Sequence, residues 1–441
     1  MCKELASAVF LDSGPNSNNA RFDIFSAEPT SLVQKKPSTL NINKNIGEVR
    51  ELSVFTQTLA DIKAQKKLPN DTSYTKLPFT NGLIGFHSYS FGEKLKLKER
   101  KIHLNKGVAN DTFPSFFVGH YTWSYVFDHK DKQGYLTFSP LCSANIREKV
   151  LTLINDCPAH PLTLQNQNHA LSLLKWKKSQ PLETYIKQFM KIQQYINNGD
   201  CYQVNLTQMF EAQTKLSAID LYFDTRDTTQ TPYSCYFSFN EDQCLLSFSP
   251  EQFISIKNRI IESKPIKGTI ANDGTKENLD TLRNSSKNQA ENVMIVDLIR
   301  NDLGQVCQAN SIHVPELFKV ESYRNVHHLV SHIKGTLRQG VTELEAFRAC
   351  FPGGSITGAP KIRSMEIINE LEISSRNAYC GSVFYLNQNG NFDSNILIRT
   401  VVKDGEHLYC WAGGGIVADS EVLDEYQESL TKVANITGIT E

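Results

Sequence analysis

Short β-rich runs recur along most of the chain, and helical segments separate them at irregular intervals. Runs such as residues 116–127 and 233–239, rich in aromatic and β-branched residues, are typical of strands. Apolar residues at three- and four-residue spacing between Tyr185 and Ile196, and again over residues 46–65, predict amphipathic helices. A doubly wound parallel fold would show a regular alternation of strand and helix instead. The pattern therefore predicts an α+β fold with large sheets.

Composition indicates a globular chain that acts on small molecules rather than on polyanions. Hydrophobic residues make up 40% of the chain and charged residues 21%, with a formal net charge of -1, so neither nucleic acid nor an anionic membrane is an expected partner. No apolar run is long enough to span a membrane, and no secretory signal opens the chain. Ten cysteines are scattered without a CxxC pair, which is typical of reduced thiols. We therefore expect a cytoplasmic protein.

A change in composition near the middle of the sequence suggests how the chain is organised. Residues 139–180 are enriched in Asn, Gln, Pro, His and Lys and hold one short helical pattern. We interpret residues 1–140 as an N-terminal region, 141–178 as a connection and 179–441 as the larger catalytic region.

The stretch Pro265–Thr269 holds a lysine that suits nucleophilic chemistry. A single strand over residues 253–261 leads towards it, and we expect Lys267 itself to lie in a loop. Between an apolar residue and a glycine, its amine would be partly desolvated and sterically accessible, and a neutral amine is a nucleophile. The alternative is an ordinary solvated lysine, and the stretch alone leaves both readings open.

Two glycine-rich segments are candidates for anion binding. Residues 351–360 precede a helix, so they suit either backbone N–H donation to an anion or a structural turn. Gly413–Gly415 follow a predicted strand and permit a close backbone approach to a carboxylate or phosphate.

Charged side chains supply two further candidates. Glu425, Glu428 and Lys432 are spaced to share one helix face, which fits either a salt-bridged surface or a carboxylate ligand for a hard divalent cation, with Glu291 as a second ligand. Arg399 falls in a predicted strand, residues 396–400, where an arginine among aliphatic residues is costly unless it meets an anion.

Taken together, several long motifs in order resemble the chorismate-utilising enzymes, and the resemblance covers nearly the whole chain. The motifs are LDSG at 11–14, RFDI at 21–24, GLIGFHSY at 82–89, CYQVNL at 201–206, SPE at 249–251, AENVMIVDLIRNDLG at 290–304, FPGGSITGAPK at 351–361, YCGSVFYL at 379–386, ILIRT at 396–400, GGGIVADS at 413–420 and ESLTK at 428–432. This resemblance implies a large two-sheet β-sandwich core surrounded by helices.

Within that family, two positions distinguish the possible reactions. The anthranilate and isochorismate branches typically carry alanine where this chain has Lys267, and the isochorismate and salicylate branches carry a water-activating lysine where it has Gln203. The chain therefore resembles the branch that makes 4-amino-4-deoxychorismate on the route to 4-aminobenzoate and folate. The alternatives are an anthranilate-forming large subunit and a catalytically idle binding or regulatory subunit of the same fold.

The resemblance also implies roles for individual residues. Lys267 would form a covalent intermediate with chorismate, and Glu251 would act as general acid and base. Mg²⁺ would be held by Glu291 and Glu428, although Asn288 stands where anthranilate-forming relatives usually carry another acidic residue. The implied substrate-binding set is Gln203, His328, Thr357, Tyr379, Arg399, Gly413, Gly415 and Lys432.

Two further ligands or partners follow from the resemblance. The region around Asp12 and Ser13 resembles the part of the family that binds tryptophan, as feedback inhibitor or as structural ligand. No GxCxG nucleophile elbow of a class I glutamine amidotransferase occurs in the sequence, so a separate glutaminase subunit is the expected source of ammonia.

Overall fold

The computed structural model describes residues 3–14, 21–35, 76–99, 113–156, 170–229, 231–322 and 326–441. These residues form two large antiparallel sheets with helices packed around them. The predicted α+β architecture with a two-sheet core is therefore confirmed. The helix predicted over residues 46–65 lies outside the described residues.

The first sheet contains eleven strands in the order β17–β9–β21–β20–β11–β10–β1–β2–β6–β7, with β8 also paired to β9. Its strands are β1 (Val9–Asp12), β2 (Phe22–Ser26), β6 (Trp123–Asp128), β7 (Gln133–Phe138), β8 (Lys177–Lys178), β9 (Gln203–Gln213), β10 (Tyr233–Ser238), β11 (Gln243–Ser249), β17 (Gly358–Ala359), β20 (Thr400–Asp404) and β21 (His407–Ile416).

The second sheet contains ten strands in the order β14–β16–β13–β12–β19–β18–β4–β5–β3, with β15 also paired to β16. Its strands are β3 (Ser31–Lys35), β4 (Gly82–His87), β5 (Phe116–Tyr121), β12 (Gln252–Lys257), β13 (Ile260–Ser263), β14 (Ile266–Ala271), β15 (His313–Ser322), β16 (Val326–Thr336), β18 (Ser382–Asn387) and β19 (Phe392–Asn395). Strands from the predicted N-terminal and catalytic regions thus contribute to both sheets.

Helices cover the sheets and connect their strands. They are α1 (Tyr89–Glu99), α2 (Ala144–Asn155), α3 (Leu182–Asn197), α4 (Ala218–Thr229), α5 (Lys276–Asn284), α6 (Ser286–Gly304), α7 (Glu343–Cys350), α8 (Lys361–Leu371), α9 (Val422–Thr431) and α10 (Ala434–Thr437). None of the described helices is long and apolar enough to cross a membrane.

The core between the two sheets is rich in aromatic side chains. Phe237 stacks on Phe239 at 4.7 Å between ring centroids and meets Phe117 edge-on at 5.2 Å. His87 lies among phenylalanine rings, 4.7 Å from that of Phe116. Burial there lowers the pKa of His87 to about 3, so this histidine is a neutral packing residue.

A second core joins the other face of the first sheet to the helices. Tyr185 and Phe189 of α3, Tyr222 of α4 and Leu430 of α9 are buried in one cluster with Phe210 of β9. Side chains alternate between the two faces of a strand. Accordingly Val204 and Leu206 belong to this helix-covered cluster, while Met209 belongs to the core between the sheets.

Four local predictions were wrong. The run over residues 253–261 is two strands, because Asn258 and Arg259, at φ 51° and 64°, form a tight turn; two positive φ angles suit a two-residue hairpin. Lys267 lies inside β14, which pairs with β16, rather than in a loop. Arg399 lies between β19 and β20 at φ 51°, not in a strand. Gly413–Gly415 lie within β21 because β9 continues beside them to Val204.

Candidate active site

Lys267 lies on a β-bulge. The register between β14 and β16 shifts between Ile266 and Thr269, and Gly268 has φ +84°, a conformation that side chains rarely adopt. A Cβ at residue 268 would also lie 2.9 Å from the Asn288 amide of α6. Bulges often redirect a side chain next to an active site. The half-buried amine of Lys267 makes no hydrogen bond or ion pair within the described residues.

Glu251 is the buried carboxylate of the site and is 7% exposed. Burial raises its pKa, while the positive charges of Lys267 and Lys432 and a hydrogen bond from Ser355 act in the opposite direction. The structure thus brings Lys267, Glu251 and Lys432 within electrostatic reach of one another. A carboxyl group whose pKa is raised keeps its proton to higher pH, which suits a general acid.

One face of β9 and β21 supplies a polar wall. Gln203 and Asn205 of β9 are buried, and their side-chain oxygens have no hydrogen-bond partner among the described residues. The adjacent positions of β21 need glycine, because a side chain there would clash with β9. A Cβ at Gly415 would lie 1.8 Å from Gln203 Nε2, and a Cβ at Gly413 would lie 2.1 Å from the Leu206 carbonyl oxygen. Unpaired buried acceptors of this kind suit a bound ligand that donates hydrogen bonds.

The backbone of β21 is open along one edge at these glycines. Strand β20 pairs only with residues 407–410 of β21, and no other described strand pairs with that edge over residues 411–416. Tyr379 lies beside this segment, because its ring stacks on Trp411 at 6.4 Å and 13°. Burial raises the pKa of Tyr379 well above its usual value, so its hydroxyl remains a hydrogen-bond donor.

Arg399 and His328 are two further residues of the predicted substrate-binding set. The Arg399 guanidinium makes no hydrogen bond or ion pair within the described part of the chain, although burial lowers its pKa. His328, on β16 opposite Thr269, has a pKa lowered to about 4, first by burial and then by the Arg399 charge. The histidine is therefore neutral near pH 7, and the uncompensated arginine suits an anion.

The loop at residues 351–360 is packed against the site rather than open to solvent. Its 3₁₀ turn, Gly354–Ile356, lies against α6, where a Cβ at Gly354 would be 2.5 Å from Leu298. Thr357 is fully buried, and its hydroxyl donates to the Gly353 carbonyl oxygen at 2.9 Å. Its own carbonyl oxygen accepts from the Asn205 N–H at 2.9 Å, so the loop is fixed to β9.

Acidic side chains of α9 converge over β21. A Cβ at Gly414 would lie 3.0 Å from Glu425 Oε2 and 3.7 Å from both Glu428 Oε1 and Lys432 Nζ. Lys432 pairs with Glu428 at 2.6 Å and donates to the Gly413 carbonyl oxygen at 3.0 Å. Glu425, which shares the predicted helix face with Glu428 but is not among the Mg²⁺ ligands that the resemblance implies, is buried and accepts from Ser420 at 2.7 Å.

The carboxylates of Glu291 and Glu428 are suitable ligands for Mg²⁺, which binds oxygen atoms. Glu291 is half-buried on α6 and makes no ion pair within the described residues, and Glu428 is half-exposed on α9. No group of three His, Cys, Asp or Glu residues is placed to bind a metal among the described residues. Mg²⁺ binds through one or two carboxylates, with water and substrate as its other ligands.

A separate cavity of about 410 Å³ lies between the sheets and is lined by Asp12 and Ser13. Asp12 accepts from Tyr222 and pairs with Arg226, and Ser13 donates to Asp23 at 2.9 Å. Gln252 and Ile266 line the cavity, and their sequence neighbours Glu251 and Lys267 belong to the catalytic group. The two sites therefore share strands.

A buried ion pair in the segment after α8 connects the loop at residues 351–360 to β9. The sequence patterns did not predict this pair. Arg376 pairs with Glu372 at 2.7 Å, with side chains 1% and 3% exposed. Arg376 also donates to the carbonyl oxygens of Ile356 and Asn205 at 2.7 and 2.9 Å. Glu372 accepts from the N–H of Thr207 at 3.0 Å. An isolated arginine carries no sequence signal of such a role, whereas Asn205 and Ser355 at least lie inside family motifs.

Replacing Arg376 by methionine should lower the free energy of unfolding by about 3–5 kcal/mol, because the buried Glu372 carboxylate loses its countercharge. The measurement is a urea unfolding curve. Arg363→Met is the matched control, since Arg363 pairs with Asp200 at 2.8 Å in a half-exposed position and should cost about 1 kcal/mol or less. Equal losses in the two variants would contradict this role of Arg376.

Comparisons with known proteins identify the family to which the chain belongs. The family model described as chorismate binding enzyme matches residues 8–438. The component 1 proteins of aminodeoxychorismate synthase from Klebsiella aerogenes and from Escherichia coli (strain K12) are 38% and 37% identical, each over 97% of this chain and 92% of the relative. Anthranilate synthase component I from Streptococcus pneumoniae TIGR4 aligns with a TM-score of 0.78 at 30% identity, covering 95% of this chain and 92% of that structure. The chain belongs to the chorismate binding enzyme family.

Proposed function

We propose that this chain is the synthase subunit that converts chorismate and ammonia into 4-amino-4-deoxychorismate. Support comes from relatives named for that activity, which match nearly the whole chain. The observation that carries the proposal is the amine of Lys267, which has no hydrogen-bond or ion-pair partner among the described residues and is held on a β-bulge within electrostatic reach of the buried Glu251. An amine nucleophile beside a carboxyl group of raised pKa is the pair that a two-step displacement at the ring needs.

In the first step, Lys267 Nζ bonds to C2 of chorismate, the two ring double bonds shift, and the C4–O bond breaks. Glu251 gives its proton to the departing hydroxyl, which leaves as water. Hydroxide is a poor leaving group, so this proton is worth roughly 10²–10⁴ in rate.

In the second step, ammonia bonds to C4, the double bonds shift back, and the C2–Nζ bond breaks. Nζ, which is a secondary ammonium group in the adduct, leaves as the neutral amine, and the new C4 ammonium group loses a proton to the Glu251 carboxylate. Lys267 and Glu251 therefore return to their starting states, and no other reactant is consumed.

Substrate orientation is assigned to groups around this pair. Chorismate has two carboxylates, and the cationic candidates for them are Arg399 and Lys432. The Tyr379 hydroxyl and the N–H groups of Gly413 and Gly415 are further donors at the open edge of β21. Gln203, His328 and Thr357 complete the proposed lining of the pocket.

Glu291 and Glu428 would hold Mg²⁺, which when bound would neutralise and clamp the ring carboxylate. The amine of Lys432 bonds to Glu428 in the structure, so it would orient that ligand. This assignment rests on the family resemblance and on the donor chemistry of these two carboxylates.

Ammonia is proposed to come from a separate glutaminase subunit, and free ammonia should substitute for it. The inter-sheet cavity is proposed as a tryptophan site, with Ser13 at its wall. Asp12 would support that wall rather than bind freely, because its carboxylate is engaged by Arg226 and Tyr222.

The proposed function is tested with the purified chain, chorismate, Mg²⁺ and ammonium at alkaline pH. Chorismate should be consumed, and 4-aminobenzoate should form only after a lyase for 4-amino-4-deoxychorismate is added. Fluorescent anthranilate without the lyase would instead identify the anthranilate reaction. No consumption of chorismate, even with a glutaminase subunit present, would favour an idle subunit.

Lys267→Ala should lose the bulk of the activity with ammonia, because the displacement would no longer be divided into two steps. Mass spectrometry of the wild-type protein with chorismate but without ammonia should show an adduct on the peptide that contains Lys267. Lys264→Ala, at a lysine of the cavity wall, is the matched control and should form the adduct. Full activity of Lys267→Ala would rule out the covalent route.

The pH profile of kcat/KM should fall on the alkaline side as Glu251 loses its proton. Because burial raises the pKa of Glu251, this fall should lie above the range of an ordinary glutamic acid. Glu251→Gln should lower kcat by roughly 10²–10⁴ and remove the limb due to this group. A Glu251→Gln profile that still shows the same limb would assign it to another residue.

A further inference from the structure

Ser355 of the glycine-rich loop hydrogen-bonds to one oxygen of Glu251. Its Oγ donates to Glu251 Oε1 at 3.1 Å. The backbone of Glu251 is fixed separately, because its N–H donates to Ser249 Oγ at 3.2 Å and that hydroxyl donates to the Ile396 carbonyl oxygen at 2.6 Å. Within the described residues, Glu251 Oε2 makes no hydrogen bond. The two carboxyl oxygens are therefore not equivalent.

A hydroxyl that donates to Oε1 needs an unprotonated acceptor there, so the proton of the neutral carboxyl belongs on Oε2. We propose that Ser355 is a positioning residue that keeps the transferable proton of Glu251 on Oε2, towards the substrate. This inference rests on the proposed function, because it concerns the general acid of that reaction.

The position of Ser355 is itself set by buried contacts. It lies in the middle of the 3₁₀ turn, between Gly354, which packs on Leu298, and Ile356, whose carbonyl oxygen accepts from Arg376. These contacts fix the backbone on both sides of Ser355, and so the position from which its hydroxyl reaches Oε1.

With this arrangement, Glu251 regains in the second step the proton that it gives up in the first. The Oε2–H group gives its proton to the C4 hydroxyl, which leaves as water while Lys267 Nζ bonds to C2. Oε1 keeps the hydrogen bond from Ser355 throughout. In the second step Oε2 takes a proton from the C4 ammonium group, and Nζ, a secondary ammonium group in the adduct, leaves as the neutral amine.

Other charged or titratable groups also face Glu251, and they remain in place in a serine variant. These groups are Lys267, Lys432 and the Cys380 thiol. The hydrogen bond from Ser355 favours the carboxylate form, so its removal should raise the pKa of Glu251 further.

The test compares Ser355→Ala and Ser355→Thr in the full chain, with free ammonia and saturating Mg²⁺. Ser355→Ala should lower kcat by roughly tenfold or more with little change in the KM for chorismate. The alkaline fall in its pH profile of kcat/KM should move to higher pH by about one unit, because the Glu251 carboxylate loses a hydrogen bond. Ser355→Thr keeps the hydroxyl and should restore both the rate and the limb.

Ser263→Ala is the matched control. Ser263 is buried on β13 and donates to the Phe253 carbonyl oxygen at 2.8 Å, so its alanine variant loses one hydrogen bond, and that bond does not involve Glu251. The proposal would be overturned if the alkaline fall of the pH profile stayed in place in Ser355→Ala, or if it moved equally far in Ser263→Ala. If Ser355→Ala does not fold, Ser355→Cys is judged by the same criterion. Wild-type turnover and the loss in Glu251→Gln test the proposed function independently of Ser355.

Discussion

The buried pair of Arg376 and Glu372 is the interaction on which the candidate site depends. Its two side chains bind the backbone of β9 at Asn205 and Thr207 and the loop at Ile356. A buried ion pair is costly to desolvate, but once formed it is specific in geometry, since removing either partner leaves a bare charge. The pair thereby connects the strand that carries Gln203 to the turn that carries Ser355, and through Ser355 to Glu251.

A second constraint is that the catalytic group and the inter-sheet cavity share strands. Ile266 lines the cavity and Lys267 follows it on the bulge of β14. Gln252 also lines the cavity, and Glu251 precedes it. Because neighbouring residues of a strand point to opposite faces, a ligand in the cavity would press on the backbone that positions the nucleophile and the general acid. This shared backbone is how a ligand at the proposed tryptophan site would act on Lys267 and Glu251.

Much of the architecture was accessible from local patterns. The helix α3 and the strand β10 were predicted near their observed bounds, because each depends on residues close in sequence. The turn at Asn258–Arg259 was missed, since neither residue is glycine and positive φ angles are rare for other residues. Lys267 was expected in a loop because its strand, β14, is defined by pairing with the distant β16. Arg376 and Glu372 are four residues apart but follow α8 rather than lying in it, and Ser355 and Glu251 are far apart in sequence, so neither pairing was predicted.

The sequence alone determined the family and the chemical groups available, because ordered motifs and a Lys267–Gly268 pair are properties of the chain. Only the tertiary structure decided which groups meet. The bulge at Lys267 depends on a register shift against β16, some sixty residues further along the chain. The contact of Ser355 with Glu251 joins positions 104 residues apart. Such contacts arise from sheet pairing and burial over the whole fold, which no local pattern encodes.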